Sequence, residues 1–350
     1  MTTRHATSDY LDVAAENRLY EEMRDNFWFP VAYSDDLKDE PQAFTLFEEQ
    51  LVVVRLDGAP RVFEDLCRHR GAALSLGKVI DGCELRCGYH GWTYDAEGRV
   101  TRVPAREELS PAFRNIRVPS FPTVEVSGLI YTTLGDPKFP PPAIPEIDDP
   151  SYQFLHLDIY EWNCSLPRRL ENYFDFSHFA WVHDGILGDS SQPRIEDYDV
   201  DKVGGELRFL AGPFVEFTDN VKNNPESGAA ETYDAWKRYR VFLPNAMKLN
   251  SSAGPVEDYV LWVAVAPVHR KRTRCFTYVG RNYPGSDDDF RAFAQMVTDQ
   301  DRPIVESQRP EELPADLAAE MHVRGADLGT LEYRRWLLDI ANGVIEPAGG

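Results

Sequence analysis

The sequence predicts an α+β chain, with an all-β domain first and a mixed sheet-and-helix domain second. Residues 26–135 consist of short β-type runs separated by turn residues, which is typical of a small all-β domain. Residues 136–150 hold six prolines and therefore indicate an extended linker. Residues 151–350 alternate between helical and strand-like patterns. A length of 350 residues also suggests two domains, at roughly 150 residues each.

The first domain has a local signal for each of its elements. Residues 1–25 are polar and favour a helical lead-in ahead of it. The apolar, β-branched run at 51–54 indicates a buried strand. Residues 95–98, with the sequence DAEG, separate two strand-like pairs and predict a hairpin. Residues 128–134 predict a further strand.

The second domain combines two helical segments with several strands. Helices are predicted over residues 166–183 and 287–302, where apolar positions recur with helical spacing. Ser286, or an aspartate after it, is suited to cap the start of the later helix. Strand candidates lie between the helices, at residues 207–210, 241–243, 259–265 and 275–279. This alternation favours a sheet with helices packed on it.

The chain is strongly acidic, with 37 Lys and Arg against 58 Asp and Glu, and its formal net charge is −21. Binding to nucleic acid or to anionic lipid requires clustered cations, so neither partner is expected. The N-terminal residues lack the apolar segment of a signal peptide, and no apolar run is long enough to cross a membrane. The expected compartment is therefore the cytoplasm. The 5 cysteines are too few, and odd in number, for a disulfide framework.

Two short segments each carry one cysteine and one histidine, namely Cys67-x-His69 and Cys87-x₂-His90. Two thiolates and two imidazoles can hold a zinc ion, or an iron–sulfur cluster in which the cysteines bind one iron and the histidines the other. Zinc fingers group Cys with Cys and His with His. Here each segment carries one of each, which favours the cluster. The alternative without a metal is four buried residues.

The remaining cysteines have no histidine at a matching offset. We expect Cys83 to be a buried thiol, and Cys164 and Cys275 to be small core residues.

A second group of metal-binding side chains lies near residue 180. His178 and His183 are five residues apart, so a regular helix would point them about 140° away from each other. A kinked or π-distorted helix end would bring them together. Asp175 precedes His178 by three positions and can sit beside it. The alternative is that both histidines are core residues of an aromatic-rich helix.

Two histidines need an anionic third ligand to form the facial triad that binds Fe(II) and leaves positions open for O₂ and substrate. Asp301 is the best candidate, because it follows the amphipathic pattern and precedes an apolar pair. Asp299 is the second candidate. Either residue could instead be a surface carboxylate near a helix end.

Together, the two groups resemble those of the oxygenase component of Rieske non-haem iron oxygenases. The resemblance covers nearly the whole chain, and the order and separation of its motifs make it specific. The motifs are NFWFP at 26–30, CRHRG at 67–71, CGYHGW at 87–92, ENYFDFSHFAWVH at 171–183, QD at 300–301 and YRRWL at 333–337. Gly88 departs from the proline that is often found at this position in the family.

The resemblance implies an N-terminal Rieske [2Fe-2S] domain and a C-terminal helix-grip catalytic domain with a mononuclear iron. The implied ligands are Cys67, His69, Cys87 and His90 for the cluster, and His178, His183 and Asp301 for Fe(II). It also implies a head-to-tail homotrimer, or a multiple of it, in which one subunit's cluster faces the next subunit's iron. Asp175 would then bridge His178 of its own chain and His90 of the next, and Asn172 would lie near the iron.

The short catalytic half is similar to that of the single-subunit group, which includes demethylases and monooxygenases. This implies a terminal oxygenase that uses O₂ to hydroxylate or oxidatively demethylate a small aromatic or heterocyclic substrate. The alternatives are a ring cis-dihydroxylating dioxygenase, a Rieske electron-transfer protein without oxygenase activity, and a zinc-stabilised interaction module. The sequence has no nucleotide-binding glycine fingerprint and no plant-type ferredoxin cysteine run. We therefore expect NAD(P)H and flavin to act through a separate reductase or ferredoxin.

Overall fold

The computed structural model describes residues 13–217, 232–252 and 258–345. They form two compact units. One unit is Arg24–Ala143, and the other consists of the described residues up to Met23 and those from Ile144 onward. The division falls inside the predicted linker 136–150, where the structure has neither helix nor strand. The boundaries at residues 25, 135 and 150 stay predictions.

The helices belong mainly to the unit that starts again at Ile144. They are α1 (Val13–Asn26), α2 (Pro111–Arg114), α3 (Leu166–Asn172), α4 (Phe179–Val182), α5 (Asp287–Val305) and α6 (Leu328–Ala341). In α1, the buried residues Ala15, Leu19 and Met23 recur every four positions, so one face of the helix is apolar. This helix covers the described part of the predicted lead-in 1–25, and residues 1–12 lie outside the described residues.

The unit Arg24–Ala143 contains three antiparallel sheets, with the strand orders β1-β11-β10, β2-β3-β4-β9 and β5-β6-β7-β8. The strands are β1 (Phe29–Tyr33), β2 (Gln42–Leu46), β3 (Glu49–Leu56), β4 (Ala59–Glu64), β5 (Lys78–Ile80), β6 (Glu84–Arg86), β7 (Thr93–Tyr94), β8 (Val100–Arg102), β9 (Ser120–Phe121), β10 (Thr123–Val126) and β11 (Leu129–Thr132). The predicted buried strand at 51–54 lies in β3, where all four side chains are buried.

The predicted hairpin at 95–98 joins β7 to β8, which pair antiparallel. The Asp95 carboxylate fixes the turn, because it accepts the backbone N–H groups of Glu97 and Arg99 at 3.0 and 2.8 Å. The core beneath this sheet includes both cysteines of the Cys-His segments, Cys67 and Cys87. The apolar core of the unit thus anchors the two loops that carry them.

The other unit is built on an antiparallel sheet with the order β12-β19-β18-β17-β16-β15-β14, and β13 also pairs with β19. The strands are β12 (Gln153–His156), β13 (Tyr160–Trp162), β14 (Val200–Val203), β15 (Glu206–Phe217), β16 (Thr232–Phe242), β17 (Ala246–Ser252), β18 (Asp258–His269) and β19 (Arg272–Arg281). Helices α3, α5 and α6 pack on the sheet. The four predicted strands fall in β15, β16, β18 and β19.

One helix was predicted over residues 166–183, and this prediction is wrong. The structure has two short helices, α3 and α4, separated by residues 173–178. The reason lies at Asp175, whose Oδ1 accepts the backbone N–H of Ser177 at 2.9 Å. Such a side chain–backbone turn competes with continued helix formation.

Helix α5 begins as expected, because Ser286 caps it by accepting the backbone N–H of Asp289. It ends later than the predicted residue 302, at Val305, with Pro303 inside its last turn. Asp301 therefore lies within the helix and not after it. The direction of the Asp301 side chain is therefore set by how α5 packs against the sheet.

The predicted α+β class is confirmed, with an all-β first unit and a sheet-plus-helix second unit. Cys164 and Cys275 are buried as expected, but Cys83 is only partly buried, because it lies at the surface turn before β6. Among the described helices, none has the length and apolarity needed to span a membrane.

Candidate functional site

The two Cys-His loops share one backbone pattern. In the first, the N–H of Cys67 donates to the carbonyl of Ala72 at 2.8 Å, and the N–H of Gly71 donates back to Cys67 at 2.9 Å. The loop after Cys87 repeats both bonds at the same spacing, with Gly91 in the place of Gly71. Both glycines have φ near +70°, a conformation that favours glycine. The sequence thus builds two matching tight turns.

These turns bring the four predicted cluster ligands together in pairs. The rings of His69 and His90 have centroids 4.5 Å apart. Cys67 and Cys87 are both 2% exposed. Burial is the main cause that raises the pKa of the Cys87 thiol, and the nearby Cys67 raises it further. Burial, and to a lesser extent the nearby His90, lowers the pKa of His69. The lower pKa favours the neutral, metal-binding form of the ring. Two paired thiols and two paired imidazoles fit the ligand set of a mixed-ligand [2Fe-2S] cluster.

Two neighbouring side chains hold this arrangement in place. The Tyr94 hydroxyl lies 3.1 Å from Sγ of Cys67, and the Trp92 indole stacks on His69 with centroids 4.7 Å apart. Nδ1 of His69 is buried and has no hydrogen-bond partner among the described residues. A buried ring nitrogen without a partner fits a position that would face a metal.

Gly88, where the family often has proline, has a structural reason in this chain. A Cβ at residue 88 would lie 2.7 Å from the carbonyl oxygen of Leu76. At the adjacent Gly77, a Cβ would lie 2.1 Å from the carbonyl oxygen of Arg86. The turn at residues 74–77 therefore lies in direct contact with the second Cys-His loop. A side chain at either glycine would clash with the opposing backbone.

The other predicted metal centre also assembles. The nearest ligand atoms of His178, His183 and Asp301 all lie within 4.8 Å of one another. Oδ1 of Asp301 is 3.1 Å from Nε2 of His183 and 3.5 Å from Nε2 of His178. Within the described ranges, this oxygen accepts no hydrogen bond despite its burial. Three ligand atoms that face a common point without bonding to each other fit a facial triad around a metal ion.

The local fold explains how two histidines five residues apart converge. His178 precedes the four-residue helix α4, and His183 follows it with φ of −115°. The N–H of Val182 donates to the carbonyl of His178 at 2.7 Å, which closes this single turn. Neither histidine therefore has the regular helical spacing that would splay their rings.

Asp301 has the character of an anionic ligand. It is 6% exposed, whereas Asp299 is exposed and accepts from Nε2 of Gln295. Burial alone raises the pKa of the Asp301 carboxyl, but nearby His183 and His178 outweigh it, so the net shift is downward. The structure thus brings Asp301, and not Asp299, to the histidines.

Gln300 is a site residue that the sequence reasoning missed. Its Oε1 lies 2.8 Å from Nδ1 of His183, on the ring side opposite Asp301. An accepting amide oxygen fixes the proton on Nδ1 and leaves Nε2 free for a metal. The only signal in the sequence was its position next to Asp301, and neighbouring helical residues normally point in different directions.

Asp175 and Asn172 lie close to the triad. Oδ2 of Asp175 is 3.5 Å from Nδ1 of His178, and its side chain is 39% exposed. Both residues line a recess that also contains His178 and Asp301, which we call the Asp175 recess. Asn172 is held by Arg169, which donates to its Oδ1 at 2.5 Å.

A largely apolar cavity also borders the triad and shares Asn172 with the Asp175 recess, with about 700 Å³ of empty space including its opening. Its apolar wall consists of Phe179, Leu187, Leu249, Leu261, Phe293, Ala294 and Val297. Phe179 lines this cavity, whereas the nearby aromatic residues Phe174 and Trp181 do not. Phe174 packs against Phe209 and Tyr333 in the core, and Trp181 is exposed. A triad that borders an apolar cavity can hold a small organic molecule beside a metal.

Comparisons with known proteins cover both units. Residues 27–122 match the Rieske [2Fe-2S] domain family, and residues 162–342 match the vanillate O-demethylase oxygenase C-terminal domain family. Methylxanthine N1-demethylase NdmA of Pseudomonas putida is 32% identical and aligns over 90% of this chain and 88% of its own. Dicamba O-demethylase, oxygenase component, of Stenotrophomonas maltophilia is 29% identical over 81% of this chain and 87% of its own.

The solved structures agree with the sequence matches. The structure of Pseudomonas putida CBB5 NdmA with caffeine superposes with a TM-score of 0.79 at 31% identity, covering 93% of each chain. The two families match in the order expected for an oxygenase with an N-terminal cluster domain. The chain belongs to the Rieske non-haem iron oxygenases, as the terminal oxygenase component of a system that takes its electrons from a separate protein.

Proposed function

We propose that this terminal oxygenase oxidatively demethylates a small N-methylated or O-methylated ring compound. The observation that carries the proposal is the triad of His178, His183 and Asp301 at the edge of an apolar cavity. Relatives named as N-demethylases and an O-demethylase align over most of the chain and support the same chemistry. Hydroxylation of a ring or side chain is the second candidate, favoured by similarity to a putative toluene-4-sulfonate monooxygenase subunit.

The metal assignment follows from the donor sets. His178, His183 and Asp301 would hold Fe(II), which when bound supplies the activation of O₂. Cys67, His69, Cys87 and His90 would hold the [2Fe-2S] cluster that passes electrons on. Gln300 keeps the His183 ring in the tautomer that leaves Nε2 free. The apolar wall of the cavity excludes water and positions the methyl group of the substrate.

We further propose that the enzyme acts as a homotrimer, in which the cluster unit of one copy docks on the Asp175 recess of the next. Exposed apolar side chains surround both sites. Ile304, Met321 and Val323 line the recess, and Met321 is 97% exposed. Leu76 and Tyr89 are exposed at the cluster loops, at 80% and 66%. Such apolar surface beside a redox site supports a protein partner, since isolated soluble chains rarely expose it in clusters.

In this arrangement Asp175 is the residue that couples the two centres. Its carboxylate lies beside Nδ1 of His178 and remains exposed enough to accept from His90 of the neighbouring copy. NAD(P)H and flavin act on the separate reductase or ferredoxin. All five cysteines are free, which supports the cytoplasm as the compartment.

The function is tested with purified oxygenase, a surrogate reductase and NADH, against a panel of N-methyl and O-methyl ring compounds that includes caffeine. We expect substrate-dependent O₂ uptake with one formaldehyde released per O₂ consumed. A cis-diol product without formaldehyde would instead establish ring dihydroxylation. A cluster that is reduced normally but gives no O₂ uptake with any compound would contradict the oxygenase assignment and favour an electron carrier.

A further inference from the structure

One wall of the apolar cavity carries the ammonium group of a buried ion pair between two strands of the sheet. Lys237 of β16 lines the cavity and its side chain is 2% exposed. Its Nζ donates to Oε1 of Glu216 on β15 at 2.5 Å, and Glu216 is fully buried behind it. The ammonium group therefore stands between a buried carboxylate and the space beside the metal triad.

Two aromatic rings fix the position of this ammonium group. Nζ of Lys237 lies 5.3 Å from the ring centre of Phe179 and 5.6 Å from that of Phe214. Phe179 directly follows His178, so it links the lysine to the triad. A lysine has three N–H donors, and within the described part of the chain Nζ of Lys237 donates a hydrogen bond only to Glu216.

Tyr239 adds a second donor on the same face of β16, two residues further along. It lines the cavity and is fully buried, and its hydroxyl has no hydrogen-bond partner among the residues that the structure describes. Its ring stacks on Phe209 with centroids 5.0 Å apart, so the side chain is held rigidly. Burial raises the pKa of Tyr239 well above its usual value, and the hydroxyl remains a neutral donor. A buried donor without a partner is costly unless a ligand satisfies it.

We propose that Lys237 and Tyr239 form a subsite that binds a neutral carbonyl oxygen of the substrate. The inference rests on the proposed function, since it assigns the substrate to the apolar cavity. Because Glu216 already neutralises Lys237, a substrate carboxylate here would be a buried charge without compensation. A ring carbonyl accepts both donors and adds no charge. The subsite therefore selects uncharged, carbonyl-bearing rings over aromatic carboxylates.

The test measures binding by calorimetry on the iron-loaded enzyme, without turnover. Three bicyclic probes share one ring frame: 1-methyl-2-oxindole has a ring carbonyl, 1-methylindole has none, and 1-methylindole-2-carboxylate is an anion. We expect the oxindole to bind at least about tenfold more tightly than either of the others, because hydrogen bonds to a buried charged donor discriminate by this amount or more.

Three variants separate the subsite from general stability. K237M combined with E216Q removes both buried charges together, and should abolish the preference for the oxindole. K248M combined with E146Q is the matched control, because Lys248 of β17, on the same sheet, pairs with Glu146 of the segment before β12, and this largely buried pair does not line the cavity. This control should retain the preference. Tyr239→Phe should weaken oxindole binding about three- to tenfold while leaving the thermal midpoint unchanged or higher, since its hydroxyl has no protein partner.

The proposal is overturned if the carboxylate binds most tightly, if the oxindole does not bind, or if its preference survives both K237M/E216Q and Tyr239→Phe. Failure of the proposed function appears separately, in iron analysis and formaldehyde assays of the same preparation. A preparation that binds the oxindole through Lys237 but releases no formaldehyde retains the subsite and loses only the demethylase assignment.

Discussion

The His183 imidazole is held on both sides by neighbouring residues of one helix. Gln300 accepts from Nδ1 at 2.8 Å, and Asp301 lies 3.1 Å from Nε2. The amide oxygen of Gln300 can only accept, so it selects the ring tautomer with its proton on Nδ1. Two adjacent residues of α5 thus have different roles. Asp301 is a proposed iron ligand, and Gln300 orients a second proposed ligand, His183.

Replacing Gln300 with leucine should weaken binding of the mononuclear iron about 10- to 100-fold, because the ring loses its orienting hydrogen bond. The visible and EPR spectra of the cluster should not change. Iron titration of the metal-depleted protein measures the effect. Gln295→Leu, on the same helix but bonded to Asp299, is the control and should bind iron normally. Wild-type iron affinity in Gln300→Leu would show that the contact does not orient His183.

Helices α3 and α6 are joined by a buried ion pair beneath the Asp175 recess. Nε and one terminal nitrogen of Arg334 donate to the two carboxylate oxygens of Glu171, at 2.5 and 2.8 Å. Arg334 also pairs with Glu320 at 2.7 Å, and Glu320 pairs with Arg168. The N–H of Asp175 bonds to the carbonyl of Glu171. This network therefore fixes the segment that carries the Asp175 side chain.

Substituting Arg334 with methionine should lower the free energy of unfolding by about 3–5 kcal/mol, since Glu171 would remain buried without its partner. Denaturant unfolding followed by circular dichroism measures the loss. Arg335→Met is the matched control at the next position, where the side chain is 48% exposed, and it should change stability by less than about 0.5 kcal/mol. Equal losses in both variants would contradict a role for the buried pair.

Local patterns predicted most elements, and the exceptions are two positions at which a helix ends. The strands at 51–54 and 259–265 were predictable from apolar, β-branched runs, and the cap at Ser286 from its residue type. The break after Asn172 could not be predicted, because the helical pattern of the sequence continues through the turn at Asp175. The end of α5 was misplaced because proline normally ends a helix, through a lost hydrogen bond and a clash with the preceding turn, whereas here α5 continues through Pro303 to Val305.

The two candidate metal centres lie in different units of the chain, and both could be predicted from the sequence. Their ligand types and spacings predicted Cys67, His69, Cys87 and His90, and also His178 and His183. The wall of the cavity could not be predicted, because Lys237, Tyr239 and Leu261 lie on separate strand positions that only the sheet register brings to one face. Substrate preference therefore depends on long-range pairing.

Asp175→Asn should retain both metal centres but lower turnover about 10- to 100-fold, because the amide lacks the negative charge through which Asp175 is proposed to couple the centres. Stopped-flow absorbance should show normal reduction of the cluster by the reductase and slow reoxidation with O₂ and substrate. Asp184→Asn, an exposed acid outside the Asp175 recess, should reoxidise normally. Slow reduction, or unchanged reoxidation, in Asp175→Asn would remove this residue from the electron path.

We propose that one chain carries both a Rieske cluster and a separate iron held by His178, His183 and Asp301. Iron and acid-labile sulfide analysis, together with the cluster EPR signal, tests it most directly. We expect three irons and two sulfides per chain in the wild type, and two irons with an unchanged cluster signal in His178→Ala and Asp301→Ala. Two irons in the wild type, or loss of the cluster signal in either variant, would contradict it.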